Sequence, residues 1–375
     1  MNRKLLIGIE GVNGRADEDA IIIASRDPLK VLSSAVLNGG LIQARSIINC
    51  HVDNNFKSSH PSAYLQKITS KLALLGPTVG LMTAAKLKNY SLRTSRDAGV
   101  TAMVTAGLSY PAAAGDEIDV GRAHHGTINT ILIIDGSLTD SAMVDAVKTA
   151  TEAKTLALKG LDVRSRFSVE VASGTITDSV CVSCTQRGKR WKYAGTATSV
   201  GQAIAKTTRG AIEEGVLKEN GLIGNRAVLS RLSERGIQLT DLVKTGMELF
   251  RPSPRISKQR ATFLLERGLV RALSDVNVAS LVIAAVRLDE EGRTGTLPKL
   301  TAQAFLADPI SLVADEEIGN AIANYIGGTL GMHNFQYYDR MKPGIAKKLP
   351  PFMDDAVCGL VAGVMSRVLY DSATH

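Results

Sequence analysis

The strand signals in this 375-residue chain stop near residue 217, and that switch of period limits the possible folds more than any other feature. Ahead of it, short β-branched runs recur: LLIGI at 5–9, IIIA at 21–24, SIINCHV at 46–52, TAMVTAG at 101–107, TINTILIID at 127–135 and SVCVSC at 179–184. Each is bounded by Gly, Asn, Asp or Ser, the residues at which chains turn. Between them, apolar residues at helical spacing predict helices over 61–75, 137–160 and 199–216. Beyond the switch, helices follow one another at 225–235, 239–249, 257–287, 315–326 and 354–370. The expectation is an α+β N-terminal domain over 1–216, built as a mixed sheet with packed helices. A linker over 217–224 follows, then an all-α C-terminal domain over 225–375.

Bulk properties exclude several classes. Aromatic residues make up 4% of the chain, so the cores rest on Ala, Val, Ile and Leu. The formal charge of +8 favours anionic ligands in general. The basic residues are spread out and Trp191 is the single tryptophan, which argues against nucleic acid as a partner. Four scattered cysteines do not make a disulfide framework and suit a reducing compartment. The longest apolar stretch, VNVASLVIAAV at 276–286, is too short to cross a bilayer. The chain reads as soluble and cytoplasmic, with no membrane partner; self-association into a homo-oligomer stays open.

In the second half, DEEIGNAIANYIGG places Asp315 and Glu316 at a helix start, with Asn320 and Asn324 one and two turns on. Gly319, Ala323 and Gly327 form a small-residue stripe that lets another helix approach. Asp339 and Lys342 follow in YYDRMKPGI, and Asp354 and Asp355 in PFMDDAV. A pair of aspartates at a helix start is often only a cap. Hard divalent ions, however, need several carboxylate oxygens, and a lysine beside them adds a contact for phosphate. The set suggests Mg²⁺-assisted phosphate chemistry.

In the first half, the informative runs are VTAGLSYPAAAGDEIDVGRAHHGTINTILIID, TEAKTLALKGLDVRSRF and SGTITDSVCVSC. Gly126-Thr127 and Gly174-Thr175 each put a hydroxyl at a strand edge, the second close to Asp178. Asn38-Gly39-Gly40 is a polar loop. Glu152 and Lys154 share a helix but, two residues apart, do not face each other. Arg164 and Arg166 either decorate the surface or hold an acidic group. Cys181-Val-Ser-Cys184 is a lone CxxC, weak as a zinc signal. His124 and His125 are adjacent, which in a strand sends them to opposite faces.

Residues 225–375 resemble the phosphatidylglycerophosphatase A family, on DEEIG, the Gly-Thr ahead of NFQYYD, the D-x-x-K-P core and the F-x-DD helix. The likeness is greatest to its soluble branch, which includes an archaeal α-ribazole-5′-phosphate phosphatase. It implies that Asp315, Glu316, Asp339, Asp354 and Asp355 bind Mg²⁺ and that Lys342 contacts phosphate. Residues 1–215 resemble the adenosylcobinamide amidohydrolase family on VTAGLSYPAAAGD, GTINTILIID, ATEAKT, VRSR and GT-x-TD-x-V-x-V. That likeness implies hydrolysis of the amide joining the aminopropanol arm to the corrin ring, with no cofactor identified. The catalytic candidates Asn38, Thr127, Asn129, Glu152, Lys154, Thr175 and Asp178 rest on motif position and chemistry. Together the resemblances imply a bifunctional hydrolase of cobamide salvage and assembly, acting on adenosylcobinamide and α-ribazole 5′-phosphate. Two alternatives stand beside it: a first half that only binds a corrinoid, and a phosphatase for phosphatidylglycerophosphate.

Overall fold

A computed structural model describes residues 3–74, 76–119, 126–252 and 254–374. His124 and His125 lie outside the described residues. The chain divides into two units, Met1–Asn225 and Arg226–His375.

The first unit is α+β. Its main sheet has nine strands and curls around the long strand Ala20–Ser33. That strand pairs along one edge with Val12–Ala16 and then with Ser179–Cys184, and along the other with Gly40–His51, all antiparallel. The register slips between Ala24 and Leu29, a bulge that lets one strand serve successive neighbours. Ser179–Cys184 continues the sheet in parallel to Ile128–Ile134, which pairs with Val100–Ala106. Central strands are buried on both faces, as their unbroken apolar runs require. Helices Asp140–Gly160 and Ser199–Asn220 cover one face with buried alanines and Val, Ile and Leu. Helix Pro61–Lys71 packs elsewhere on the sheet through Leu65.

Several boundaries move. LLIGI contributes only its first residue to a strand, Arg3–Leu5, because Gly8 turns the chain at φ 74°. Helix Ser199–Asn220 runs on through residues 217–220 and stops at Gly221, left-handed at φ 66°. Strands Thr78–Thr83 and Ser91–Ser95 have no counterpart in the expected runs.

The second unit is all-α. Its core helix, Pro351–Thr374, is buried at every position from 351 to 366. The single helix expected at 257–287 is two, Lys258–Leu273 and Val276–Thr294. Apolar spacing runs through the join, but Asp275 caps the second helix, accepting from the backbone N–H of Asn277 at 2.8 Å and Val278 at 3.3 Å. Among the described residues, no single helix is long and apolar enough to cross a membrane; that pair passes only jointly and is bent by 83°.

The segment Ala314–Met341 is helical on both sides of Gly328, whose φ 61° and ψ −153° are open essentially to glycine alone. There the chain folds back, so that a Cβ on Gly319 would strike the Phe335 ring at 2.5 Å. The stripe Gly319, Ala323, Gly327 then meets Gly359 and Gly363 of the core helix backbone to backbone; a Cβ on Gly327 would lie 2.7 Å from the Gly363 carbonyl oxygen.

Candidate active sites

In the second unit the acidic residues converge because of the fold-back. On a straight helix, Asp315 and Asp339 would sit about 36 Å apart, at 1.5 Å per residue. Here carboxylate oxygens of Asp315, Glu316 and Asp355 lie within 4.8 Å of one another, as do those of Asp339, Asp354 and Asp355. Asp355 belongs to both groups. It follows Asp354 of the first turn of the core helix, near the helix end whose dipole favours negative charge.

Lys342 ends the preceding helix in a left-handed conformation, φ 42°, and Pro343 prevents continuation. Its ammonium turns back onto Asp339 at 2.7 Å, Asp355 at 3.0 Å and Asp354. The lysine therefore occupies the second acidic group. In the first, Asp315–Glu316–Asp355, the lysine reaches only Asp355; Asp315 and Glu316 have no ion pair among the described residues, and the buried Glu316 Oε2 has no hydrogen-bond partner among them.

Protonation follows this imbalance. Burial pushes Asp315 up, and Glu316 beside it adds to the rise. Burial likewise raises Asp354, against hydrogen bonds from Asp355 and Lys342. Asp355 is raised by burial and by sharing hydrogen bonds with Asp339 and Asp354. For Asp339, burial is outweighed by hydrogen bonds from Asp355 and Lys342, and it falls. Burial would depress Lys342, but Asp339 and Asp354 hold it protonated. Such a site suits a divalent cation, whose charge would replace the protons these carboxyls otherwise keep. Asp315, Glu316 and Asp355 would hold it, with Lys342 adjacent to a bound phosphate.

One contributor escaped the sequence reading. Asp289, 4% exposed, caps the core helix from outside it: its two oxygens accept from Phe352 N–H at 3.1 Å and Met353 N–H at 2.9 Å. It sets the first turn, which carries Asp354 and leads directly into Asp355. Burial pushes its carboxyl to about 7. In sequence it is one acid among several in LDEEGR. Asn320 is half-buried and Asn324 exposed.

In the first unit, Lys154 reaches from helix Asp140–Gly160 to a buried ion pair with Asp178. Gly174 is required here, since a Cβ would lie 2.7 Å from Lys154 Nζ and closer still to Asp178. Asp178 also accepts from Thr175 N–H at 3.0 Å, Thr175 Oγ1 at 2.5 Å and Ile128 N–H at 2.9 Å. Such a ring of donors fixes the carboxylate in place. Thr175 and Thr177 both reach the Gly126 carbonyl, at 2.7 and 3.0 Å, and Thr177 contacts Thr127 Oγ1 at 2.6 Å. Thus Lys154, Asp178, Thr175 and Thr127 form one cluster, with Thr177 as a member the sequence reading passed over. The period-two spacing of TIT carried that signal.

Asn129 lies deeper. Its Nδ2 donates to Asn49 Oδ1 at 2.8 Å and to the Met82 carbonyl at 2.7 Å, and Asn49 donates to Thr105 at 2.9 Å. Its own Oδ1 is buried without a partner. Flipping the amide would set oxygen against two acceptors, so the orientation is fixed. Asn49, inside the apolar run SIINC, was not among the candidates.

Two candidates do not join these residues. Glu152 is exposed, on another side of its helix from Lys154, as two-residue spacing dictates. Asn38, left-handed at φ 54°, donates to the Thr78 carbonyl at 2.8 Å and so pins its loop. Arg166 stacks over Tyr110 at 4.8 Å and donates to the Ser109 carbonyl at 2.8 Å. Cys181 and Cys184 are buried free thiols.

Comparison with known proteins agrees with this division. Residues 5–224 match the family model described as Adenosylcobinamide amidohydrolase, and residues 265–370 that of Phosphatidylglycerophosphatase A. An Adenosylcobinamide amidohydrolase of Methanosarcina mazei is 32% identical over 192 residues, 49% of this chain and 88% of that one. A protein of the same description from Halobacterium salinarum is 30% identical over 47% of this chain and 75% of its own length. The uncharacterized protein MJ1330 of Methanocaldococcus jannaschii is 43% identical over 127 residues, 33% of this chain and 96% of that protein. Among solved structures, the low temperature requirement C protein of Listeria monocytogenes is 25% identical across 38% of this chain and 93% of that chain, with a TM-score of 0.34.

Proposed function

This chain belongs to the adenosylcobinamide amidohydrolase family, and on that premise we propose that its first unit hydrolyses the aminopropanol amide of adenosylcobinamide while its second removes phosphate from α-ribazole 5′-phosphate. The chain is thus a hydrolase with an amide-cleaving and a phosphoester-cleaving unit. The observation that carries the first activity is the buried Lys154–Asp178 pair with Thr175, set within the GT-x-TD motif. Amide cleavage needs a nucleophile or activated water, a base and donors for the oxyanion. Asp178 fixes Thr175 and Lys154; Lys154 supplies positive charge, and the Thr127 and Thr177 hydroxyls are hydrogen-bonded to each other beside them.

The second activity is supported by the acidic groups sharing Asp355 and by the partnerless Glu316 Oε2. A bound Mg²⁺ would neutralise phosphate oxygens and activate water. Lys342 would contact the phosphoryl group, and Asp339 would hold Lys342 in place. The choice of α-ribazole 5′-phosphate rests on the first unit's family, since both reactions then serve cobamide assembly.

The burial of Lys154, Thr175 and Asp178 favours a second reading, in which the first unit binds the corrinoid without cutting it. One assay separates them. The chain is given adenosylcobinamide, α-ribazole 5′-phosphate and phosphatidylglycerophosphate, each with Mg²⁺ and with EDTA. Adenosylcobyric acid formation and Mg²⁺-dependent phosphate release support the proposal. Saturable corrinoid binding without turnover supports the binding module. Phosphate release from phosphatidylglycerophosphate in preference to α-ribazole 5′-phosphate would overturn the substrate assigned to the second unit.

A further inference from the structure

A cavity of about 520 Å³ opens on the first unit between strands Val12–Ala16, Ala20–Ser33 and Gly40–His51 and the turn that follows helix Pro61–Lys71. It shares no residue with the Lys154–Asp178 cluster or the Asn49–Asn129 pair. Arg15, Arg26 and Arg45 line it, one from each strand, and no carboxylate stands among the described residues that line it. Arg15 and Arg45 make no ion pair among the described residues. Arg26 has a single loose partner, the exposed Asp27 at 3.6 Å. Several other cations of the unit do carry a carboxylate: Lys30 with Asp140, Arg93 with Glu214, Lys154 with Asp178 and Lys218 with Glu214.

Local structure explains the convergence. Arg15 pairs in register with Ile22, so its side chain shares a sheet face with that residue. The slip between Ala24 and Leu29 turns Arg26 out of the ladder. The stem of Arg45 lies against Gly76, at 3.4 Å from where a Cβ would stand, with Gly76 left-handed at φ 75°. Ser46 lines the same cavity although it is only 3% exposed. Leu72 and Leu74 form an apolar wall.

Like charges gathered without a counter-charge cost free energy, and an anion entering the cavity removes that cost. Planar guanidinium forks suit the oxygens of phosphate, and a hydroxyl adds a neutral donor. We propose that this cavity is a binding site for a phosphate group, either free orthophosphate or the phosphate of a small phosphomonoester whose organic part rests on Leu72 and Leu74.

The test is titration calorimetry on the full chain in EDTA, at fixed ionic strength, with inorganic phosphate and with ribose 5-phosphate as probes. The Lys342→Gln variant removes the phosphate-facing cation of the second unit and isolates the site proposed here. In that background, saturable binding is expected, and Arg15→Ala with Arg45→Ala should weaken it about tenfold or more. Tighter binding of ribose 5-phosphate than of phosphate identifies a phosphomonoester ligand; equal binding identifies phosphate alone. The arginines are exposed, so the fold should tolerate their loss. Should the double variant misfold, Arg15→Ala and Arg45→Ala singly are each expected to weaken binding several-fold. Unchanged affinity in folded arginine variants, or no saturable binding up to about 10 mM probe, overturns the proposal.

Discussion

Replacing Asp289 by Asn tests the electrostatic account of the second unit. The carboxyl is 4% exposed and holds two backbone N–H groups of the core helix, yet burial lifts it to about 7 against an ordinary value near ~3.9. A raised value means that the folded chain keeps a proton the unfolded chain has lost. The resulting stability is fully present below about pH 4 and is lost as pH rises through about 7. That window spans about three pH units at ~1.36 kcal/mol each, or about 4 kcal/mol. Asparagine cannot ionise. It keeps one acceptor for Phe352 or Met353 and leaves the other amide unpaired, at about 1–3 kcal/mol independent of pH. The variant should therefore be clearly weaker than the parent near pH 4.5, and the two should converge or cross near pH 8. Urea unfolding in EDTA, followed by far-ultraviolet circular dichroism and fitted as two units, reads this directly. The remaining carboxylates titrate in both proteins and largely cancel in the difference. A parent–variant gap equal at the two pH values would refute the reasoning, because Asp289 would then ionise like any exposed aspartate.

Other outcomes follow from the sites. Asp355→Asn should lower phosphate release about a hundredfold or more, because it touches both acidic groups, and should leave amide cleavage intact in a paired assay. Adding Mg²⁺ to the EDTA-treated chain should raise the second unit's unfolding midpoint, by about 2.7 kcal/mol at a hundredfold excess over Kd; a scanning calorimetry shift that survives Glu316→Gln undiminished would remove Glu316 from the site. Lys154→Met should destabilise the first unit by about 3–5 kcal/mol by stranding Asp178, and pairing it with Asp178→Leu should restore part of that loss without restoring amide cleavage. Gly359→Ala should destabilise the second unit, since the added methyl runs into the Gly319 carbonyl; denaturant midpoints measure it.

The sequence was most informative where one residue type answers to one local demand. β-Branched runs became strands because a strand buried on both faces needs nothing else. The stripe Gly319, Ala323, Gly327 announced a close helix neighbour because only small side chains permit one. The acids of the second unit were legible as a set, since DEEIG, D-x-x-K-P and F-x-DD are compact motifs. What was hidden depends on contacts distant along the chain. Asp289 caps a helix that begins 62 residues later, at Pro351, and nothing near it in sequence signals this. Asn49 sits in an apolar run, and its partner Asn129 is 80 residues away. The fold-back at Gly328 was hidden: the helix expected over 315–326 ends just before it and no helix was expected on the return arm to Met341, because a glycine does not state its φ. Glu152 shows the opposite failure: it stands in a distinctive motif yet faces solvent.

The core helix Pro351–Thr374 has a consequence for the order in which the second unit comes into being. Synthesis runs from the N-terminus, so every other helix of the unit leaves the ribosome before the one against which they pack. Until then, the apolar faces of Lys258–Leu273 and Val276–Thr294 and the glycine stripe after Asp315 lack the core helix that packs against each of them. The nascent second unit therefore waits, exposed and without Asp354 or Asp355, while the first unit has already been released whole. A ribosome stalled before residue 351 would display a finished amidohydrolase fold tethered to an adhesive, unassembled tail.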